Sequence, residues 1–260
     1  MGAIIAWGQR LNARASATSR ADIRTRLIAP LLACAVPFLL LSSAIRIEMN
    51  SLGLYARGFQ IYGVGGTTGL NEHQLMQAAA RLIHFFNSLT DSPQMAISPW
   101  NGAPIDLYHD YELVHLADVK VLFAANSVVQ SWSLVLVAVL VIAGLSFGRR
   151  ADVDIGLRRG ALITLSLLAV AALSFVLDFQ RMFVLFHVVA FDNSFWQLNP
   201  LADYLVMLFP LEFWQDMFLI AGASTGLTAA AVYALITLSA RLTRRHGGAT
   251  ALPATENRVV

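Results

Sequence analysis

The protein has 260 residues, of which 57% are hydrophobic and 13% charged, with a mean hydropathy of +0.62. That balance excludes an average soluble domain and points to an integral membrane protein. The net charge of +2 and a pI near 8.9 raise the question of a nucleic-acid partner, which the placement of the basic residues answers in the negative.

Residues 1–26 hold Arg10, Arg14, Arg20, Arg24 and Arg26 and lead into a first apolar stretch, Leu27 to Ile45. It resembles a signal peptide, but Ile45-Arg46-Ile47 lacks the small-x-small cleavage pattern, so the stretch is expected to stay as an anchor. Cys34, the sole cysteine, lies inside it, which leaves no disulfide and no cysteine nucleophile elsewhere.

In the following segment, Tyr55-Ala-Arg-Gly-Phe59 and Tyr62-Gly-Val-Gly-Gly66 suit turns or short strands near lipid headgroups. Asn71-Glu-His-Gln74 carries a capping-box signature, and Leu75, Ala79, Leu82 and Phe86 follow at helical spacing. This predicts an amphipathic helix lying on the membrane or against the bundle, with His73 and His84 in ordinary surface or boundary positions. Residues 88–107, rich in proline, read as loop. A helix restarts near Asp110 and places Glu112, His115 and Asp118 three residues apart. That spacing allows a metal site or simply the polar end of a helix leaving the membrane.

Three further apolar stretches run from Ser131 to Phe147, Ala161 to Phe179 and Phe213 to Leu238. With the first they make four, each close to the roughly 20 residues a spanning helix needs. Thirteen of the 18 basic residues lie in residues 1–26, in the loop holding Arg149, Arg150, Arg158 and Arg159, and in the tail with Arg241, Arg244, Arg245 and Arg258. Basic flanks remain cytoplasmic, so both termini are expected inside, with segments 46–130 and 180–212 outside. Four basic against seven acidic residues in 46–127 leave no basic groove on that side. Residues 241–260 are expected to form a disordered cytoplasmic tail.

The segment after the third stretch is unusual. Asp178 and Arg181 bracket its start and can pair; His187, Asp192, Asn193, Trp196, Asn199 and Asp203 follow among aromatics. An interfacial aromatic belt explains the tryptophan but not His187, which is set among Phe183, Leu185, Phe186 and Val188. A histidine is costly there without a partner, and its near-neutral pKa suits a proton shuttle. Asp203 and Glu212 read as solvated rim charges.

HLADVKVLF at 115–123, FHVVAFDNSFW at 186–196 with Pro200, LYARGFQIYGV and TTGLNEHQLMQAAARLIHFF, in this order relative to four spans, resemble the bacterial lipoprotein intramolecular transacylase family over residues 30–240. The resemblance implies an all-α membrane protein with four transmembrane helices and an outward-facing segment containing an amphipathic helix and short strands. It implies an acyltransferase that moves the sn-2 acyl chain of a diacylated lipoprotein to the amino group of the lipoprotein's N-terminal cysteine, giving the lyso form. Its catalytic histidines match His115 and His187, and it implies no cofactor and no metal.

The substrate of such a reaction supplies both nucleophile and ester, so the protein need only align them and move protons. His187 is expected as general base and then acid, and His115, oriented by Asp118 or Glu112, as its support. Asn193, Trp196 and Arg181 are the expected oxyanion donors, and Leu82, Phe86 and Phe186 are expected to receive the acyl chain. The partners expected are the diacylated lipoprotein and membrane lipid. Two other readings compete. A metal-dependent hydrolase would use Glu112, His115, Asp118 and His187 as ligands, although no HExxH spacing occurs; a non-catalytic haem or quinone carrier or scaffold would need histidines in the span cores for haem, and none of the six lies there.

Overall fold

A computed structural model of the protein describes residues 27–89 and 91–249. In chain order the elements are α1 (Ile28–Met49), α2 (Leu52–Ile61), α3 (Val64–Thr68), α4 (Glu72–Asn87), β1 (Ala96–Ile97), β2 (Ile105–Asp106), α5 (Asp110–Ser146), α6 (Arg150–Ala190), α7 (Tyr204–Leu208) and α8 (Leu211–Ala249). Helices α1, α5, α6 and α8 are the four long and apolar enough to cross a membrane. Hydrocarbon offers no hydrogen bonds, so a chain crossing it must satisfy its backbone internally, as these helices do.

The helices outrun the apolar stretches that predict them. Helices α5 and α6 contain 37 and 41 residues, well beyond the roughly 20 that cross the hydrocarbon. The loop expected to hold Arg158 and Arg159 shrinks to residues 147–149, and both arginines are helical. Helix α8 continues through Ala249, so residues 241–249 of the segment expected to be disordered are helical; residues 1–26 and 250–260 lie outside the described residues.

Within α6 the backbone of Asp178 is extended, with φ −167° and ψ 89°. Its carboxylate accepts a hydrogen bond from the Arg181 backbone N–H at 3.0 Å, the geometry of a helix N-cap. The same carboxylate pairs with the Arg181 guanidinium at 3.0 Å. The break is thus capped, and the helix restarts to carry His187.

The described residues form two compact units, one comprising residues up to 37, 133–165 and 227 onward, the other 38–132 and 166–226. In the first, Ile28, Leu32 and Val153 form a buried cluster joined by Val137, Leu140, Val141 and Leu157. Gly156 and Gly160, one helical turn apart on α6, let α1 approach closely. A Cβ on Gly156 would lie 2.8 Å from the Ala29 carbonyl oxygen, and one on Gly160 would lie 2.6 Å from Val36 Cβ.

In the second unit, α2 and α4 pack into a core with α7 and the start of α8. Buried Tyr55, Phe59, Leu75, Ala79, Leu82, Phe85 and Phe86 meet Leu208, Phe209 and Phe213. Helix α4 begins as its sequence predicts: the Gln74 N–H donates to Asn71, and the Gln74 side chain accepts from the Asn71 N–H. The turns or strands expected at 55–66 are instead helices α2 and α3. Tyr55, Gly58 and Phe59 form a helical face, and Gly63 and Gly69, with φ of 59° and 71°, bound the single turn of α3. Two short strands do exist, but at 96–97 and 105–106, paired antiparallel with Ala96 opposite Asp106. The Gln94 amide closes this strap, donating to the Tyr108 carbonyl at 2.7 Å and accepting from its N–H at 3.1 Å.

The Gly160→Ile substitution is expected to force α1 and α6 apart, costing about 1–3 kcal/mol of overpacking strain. A melting temperature several degrees lower in detergent would show it; an unchanged one would remove the glycine contact from the account.

Candidate active site

Helices α5 and α6 each carry turns beyond the length needed to cross a bilayer, and on those turns they present His115 and His187. The two imidazoles face each other with ring centroids 5.9 Å apart, and each residue is 7% exposed. Phe191, one turn after His187, packs edge-on to His115 at 5.0 Å and lies 5.5 Å from His187. Phe183, one turn before, is 4.3 Å from the His187 ring, while Trp196 and Phe186 lie at 5.2 and 5.3 Å. The imidazoles therefore sit in an aromatic enclosure built by helical spacing around one histidine.

The two rings differ in hydrogen bonding. His187 Nδ1 lies 2.7 Å from the Phe183 carbonyl oxygen. A carbonyl only accepts, so Nδ1 carries the hydrogen and the neutral ring keeps its lone pair on Nε2. His115 Nδ1 is buried and has no hydrogen-bond partner among the described residues. One ring is fixed in a base-competent tautomer, and the other presents a buried, unpartnered nitrogen, the kind of polar atom that calls for a ligand.

The residues expected to support the pair separate into two groups. Trp196 and Phe186 adjoin His187. Asp118, expected to orient His115, accepts a hydrogen bond from the Asn193 amide at 2.8 Å, and Asn193 in turn accepts from the Phe195 N–H at 3.0 Å. That linkage holds the 193–196 turn, and with it Trp196, against α5. Glu112 instead completes the start of α5. Its carboxylate accepts from the His109 N–H at 2.7 Å, the return half of a capping box, and from the Leu205 N–H at 2.8 Å. Arg181 is exposed and bound to Asp178, lining a shallow groove with Gln180, Val184, Leu185 and Val188. Leu82 and Phe86 are buried in the unit core, where Phe86 stacks on Phe123 at 4.3 Å.

One side chain departs from its sequence reading. Asp203, expected as a rim charge, is buried and accepts from the Tyr111 hydroxyl and the Asn199 N–H. Phe191 joins the site without a polar group to mark it in the sequence; its position four residues after His187 is the one signal, since it places the ring on the same helical face. His73 is exposed, and His84 pairs with Asp91 away from the imidazole pair.

The fold and this site define a polytopic α-helical membrane protein with a buried two-histidine centre. The family model for the lipoprotein intramolecular transacylase Lit matches residues 30–214, and the chain belongs to that family of acyltransferases. Solved structures agree on the fold. The membrane-integral lipoprotein intramolecular transacylase Lit from Bacillus cereus is 18% identical, with a TM-score of 0.74 over 86% of this chain and 99% of that chain. Two variants of the same Bacillus cereus protein, with a histidine replaced by arginine or by alanine, give TM-scores of 0.71 and 0.70 at 17% identity, covering 90% and 88% of this chain and 99% of those chains. A comparison with curated proteins found no match. The four apolar helices and these relatives make the chain a multi-pass bacterial membrane protein.

Because Asn193 and Asp118 hold the turn that packs Trp196 on His187, Asn193→Ala is expected to leave helicity and melting temperature nearly unchanged while lowering turnover about ten- to a hundredfold by loosening the enclosure. Circular dichroism and a turnover assay on one preparation separate the two effects. Full turnover in the variant would make the contact incidental.

Proposed function

We propose that this chain transfers the sn-2 acyl group of a diacylglyceryl-modified lipoprotein to the amino group of that lipoprotein's N-terminal cysteine, with His187 and His115 as the catalytic pair. The facing imidazoles, one holding a free Nε2 and the other a free buried Nδ1, carry this reading.

The reaction balances without an enzyme-bound acyl group. The neutral amine attacks the sn-2 ester carbonyl while His187 Nε2 takes one of its protons. The tetrahedral oxyanion then collapses, the bond from carbonyl carbon to glyceryl oxygen breaks, and the departing oxygen receives the proton. An amide replaces an ester, and the total mass is unchanged. His115, 5.9 Å from His187 between ring centroids, shares the proton transfer or donates to the oxyanion. Trp196, 5.2 Å from His187 between ring centroids, is a further donor, and Asn193, bonded to Asp118, holds its turn; Arg181, engaged by Asp178, takes a smaller part than its sequence position suggests. Phe186, half-exposed beside His187, is the acyl-chain contact among the three expected. Leu82 and Phe86 instead pack in the core, Phe86 against Phe123.

The arginine distribution supports a topology with both termini cytoplasmic, segments 46–130 and 180–212 outside, and the histidine pair at the outer face, where diacylated lipoproteins reside. A metal-dependent hydrolase built on Glu112, His115, Asp118 and His187 finds less support. Among the described residues Glu112 gathers with His109 and Asp203 rather than with His115, Asp118 and His187, and Asp118 bonds to Asn193, so the four do not form one ligand set.

The test is mass spectrometry of the N-terminal peptide of a diacylated lipoprotein co-expressed with this protein. Wild type is expected to move one acyl chain to the cysteine nitrogen at constant mass. His187→Ala should reduce the product by about 10²–10⁴, the usual worth of a positioned general base, and His115→Ala should reduce it strongly too. An unchanged diacyl peptide beside well-folded wild-type protein would overturn the proposal.

A further inference from the structure

At the start of α5, away from the role of the imidazole pair, three metal-binding side chain types meet. His109 Nδ1 lies 3.0 Å from a Glu112 carboxylate oxygen and 3.5 Å from an Asp203 carboxylate oxygen, and one ligand atom from each of the three falls within 4.8 Å of the others. We propose that His109, Glu112 and Asp203 bind a zinc-like divalent cation that clips the first turn of α5 to the 199–205 segment.

The spacing fits the ion. Tetrahedral zinc, with bonds of about 2.0–2.2 Å to imidazole nitrogen and carboxylate oxygen, holds its ligands roughly 3.3–3.6 Å apart, close to the separations from His109 Nδ1. An imidazole with two carboxylates suits zinc better than calcium or magnesium, which favour oxygen-only sets.

The charge balance calls for a cation. The Glu112 and Asp203 side chains are 0% and 4% exposed. Among the described residues neither forms an ion pair with a lysine or arginine; the ion-pair partner of each is His109. Two buried carboxylates with a single imidazole between them are left short of positive charge. Nearby, the Tyr108 hydroxyl is buried without a hydrogen-bond partner among the described residues.

The ligands are also held from behind. Glu112 accepts from the His109 and Leu205 N–H groups, and Asp203 accepts from the Asn199 N–H at 2.6 Å. A carboxylate oxygen has two lone pairs, so one such bond leaves another for a metal while fixing the ligand's orientation. The His109 side chain is 53% exposed, which gives the ion a way in. The Tyr111 hydroxyl donates to Asp203 at 2.5 Å and lies 3.1 Å from His109 Nδ1, which steadies both side chains.

The experiment uses full-length, tag-free protein in detergent, stripped with a chelator, given a slight excess of zinc chloride, desalted, and analysed for metal by mass spectrometry and for melting temperature. Wild type is expected to retain about one zinc per chain and to melt several degrees higher with zinc than without. His109→Ala, a change at a half-exposed residue, should keep the metal-free melting temperature and lose both the zinc and the shift. A double variant, His115→Ala with His187→Ala, should retain the zinc, which separates this site from the catalytic pair. Wild type without retained zinc, His109→Ala with undiminished zinc, or loss of zinc in the double variant would each overturn the proposal.

Discussion

Any buried polar group in a membrane protein must find its partner within the chain, because hydrocarbon supplies none. That requirement makes the four long segments helical and dictates what happens where they deviate. When α6 breaks at Asp178, that residue's own carboxylate caps the restarted helix. Where α5 begins inside the second unit, Glu112 returns to the His109 N–H and reaches across to Leu205. Asp118 is met by Asn193, and His187 by the Phe183 carbonyl. Against this background the buried Nδ1 of His115 has no partner among the described residues, and its ring lies beside the other imidazole.

The chemistry inherits its economy from the same setting. An intramolecular transfer needs no nucleophilic side chain, because the lipoprotein carries amine and ester a few bonds apart. What remains for the protein is to hold them together, exclude water and move one proton. Phe183, Phe186, Phe191 and Trp196 surround His187, and in the proposed reaction they would keep competing water from the ester. An aromatic wall also leaves the proton-bearing groups few, which strengthens the hold of each on the charge that develops.

Much of this was legible in the residues. Long apolar stretches give spans because length and composition alone decide whether a helix can cross, and Asn71 with Gln74 announces α4 because a capping box is local. His187 is conspicuous because a titratable ring is costly among Phe183, Phe186 and Val188. Other features depend on partners far along the chain. Gly156 and Gly160 acquire their meaning from Ala29 and Val36 on another helix. Glu112 looks like half of a Glu-x-x-His site with His115 until it is seen to gather with His109 and Asp203 instead. Asp203 resembles a rim charge until Tyr111 and Asn199 enclose it. The helices at 52–68 escape a reading by composition, because glycines bounding a single helical turn look the same as glycines in loops.

The central claim is that the acyl chain passes directly from the glyceryl oxygen to the amine of the same lipoprotein, with the histidine pair moving protons only. The most direct measurement mixes two lipoproteins of distinguishable peptide mass, one bearing isotope-labelled acyl chains, with the purified protein. The account predicts that every N-linked chain carries the isotope of its own glyceryl group. Labels exchanged between the two peptides would contradict it, since the chain would then have left its molecule through an acyl-enzyme or the lipid pool.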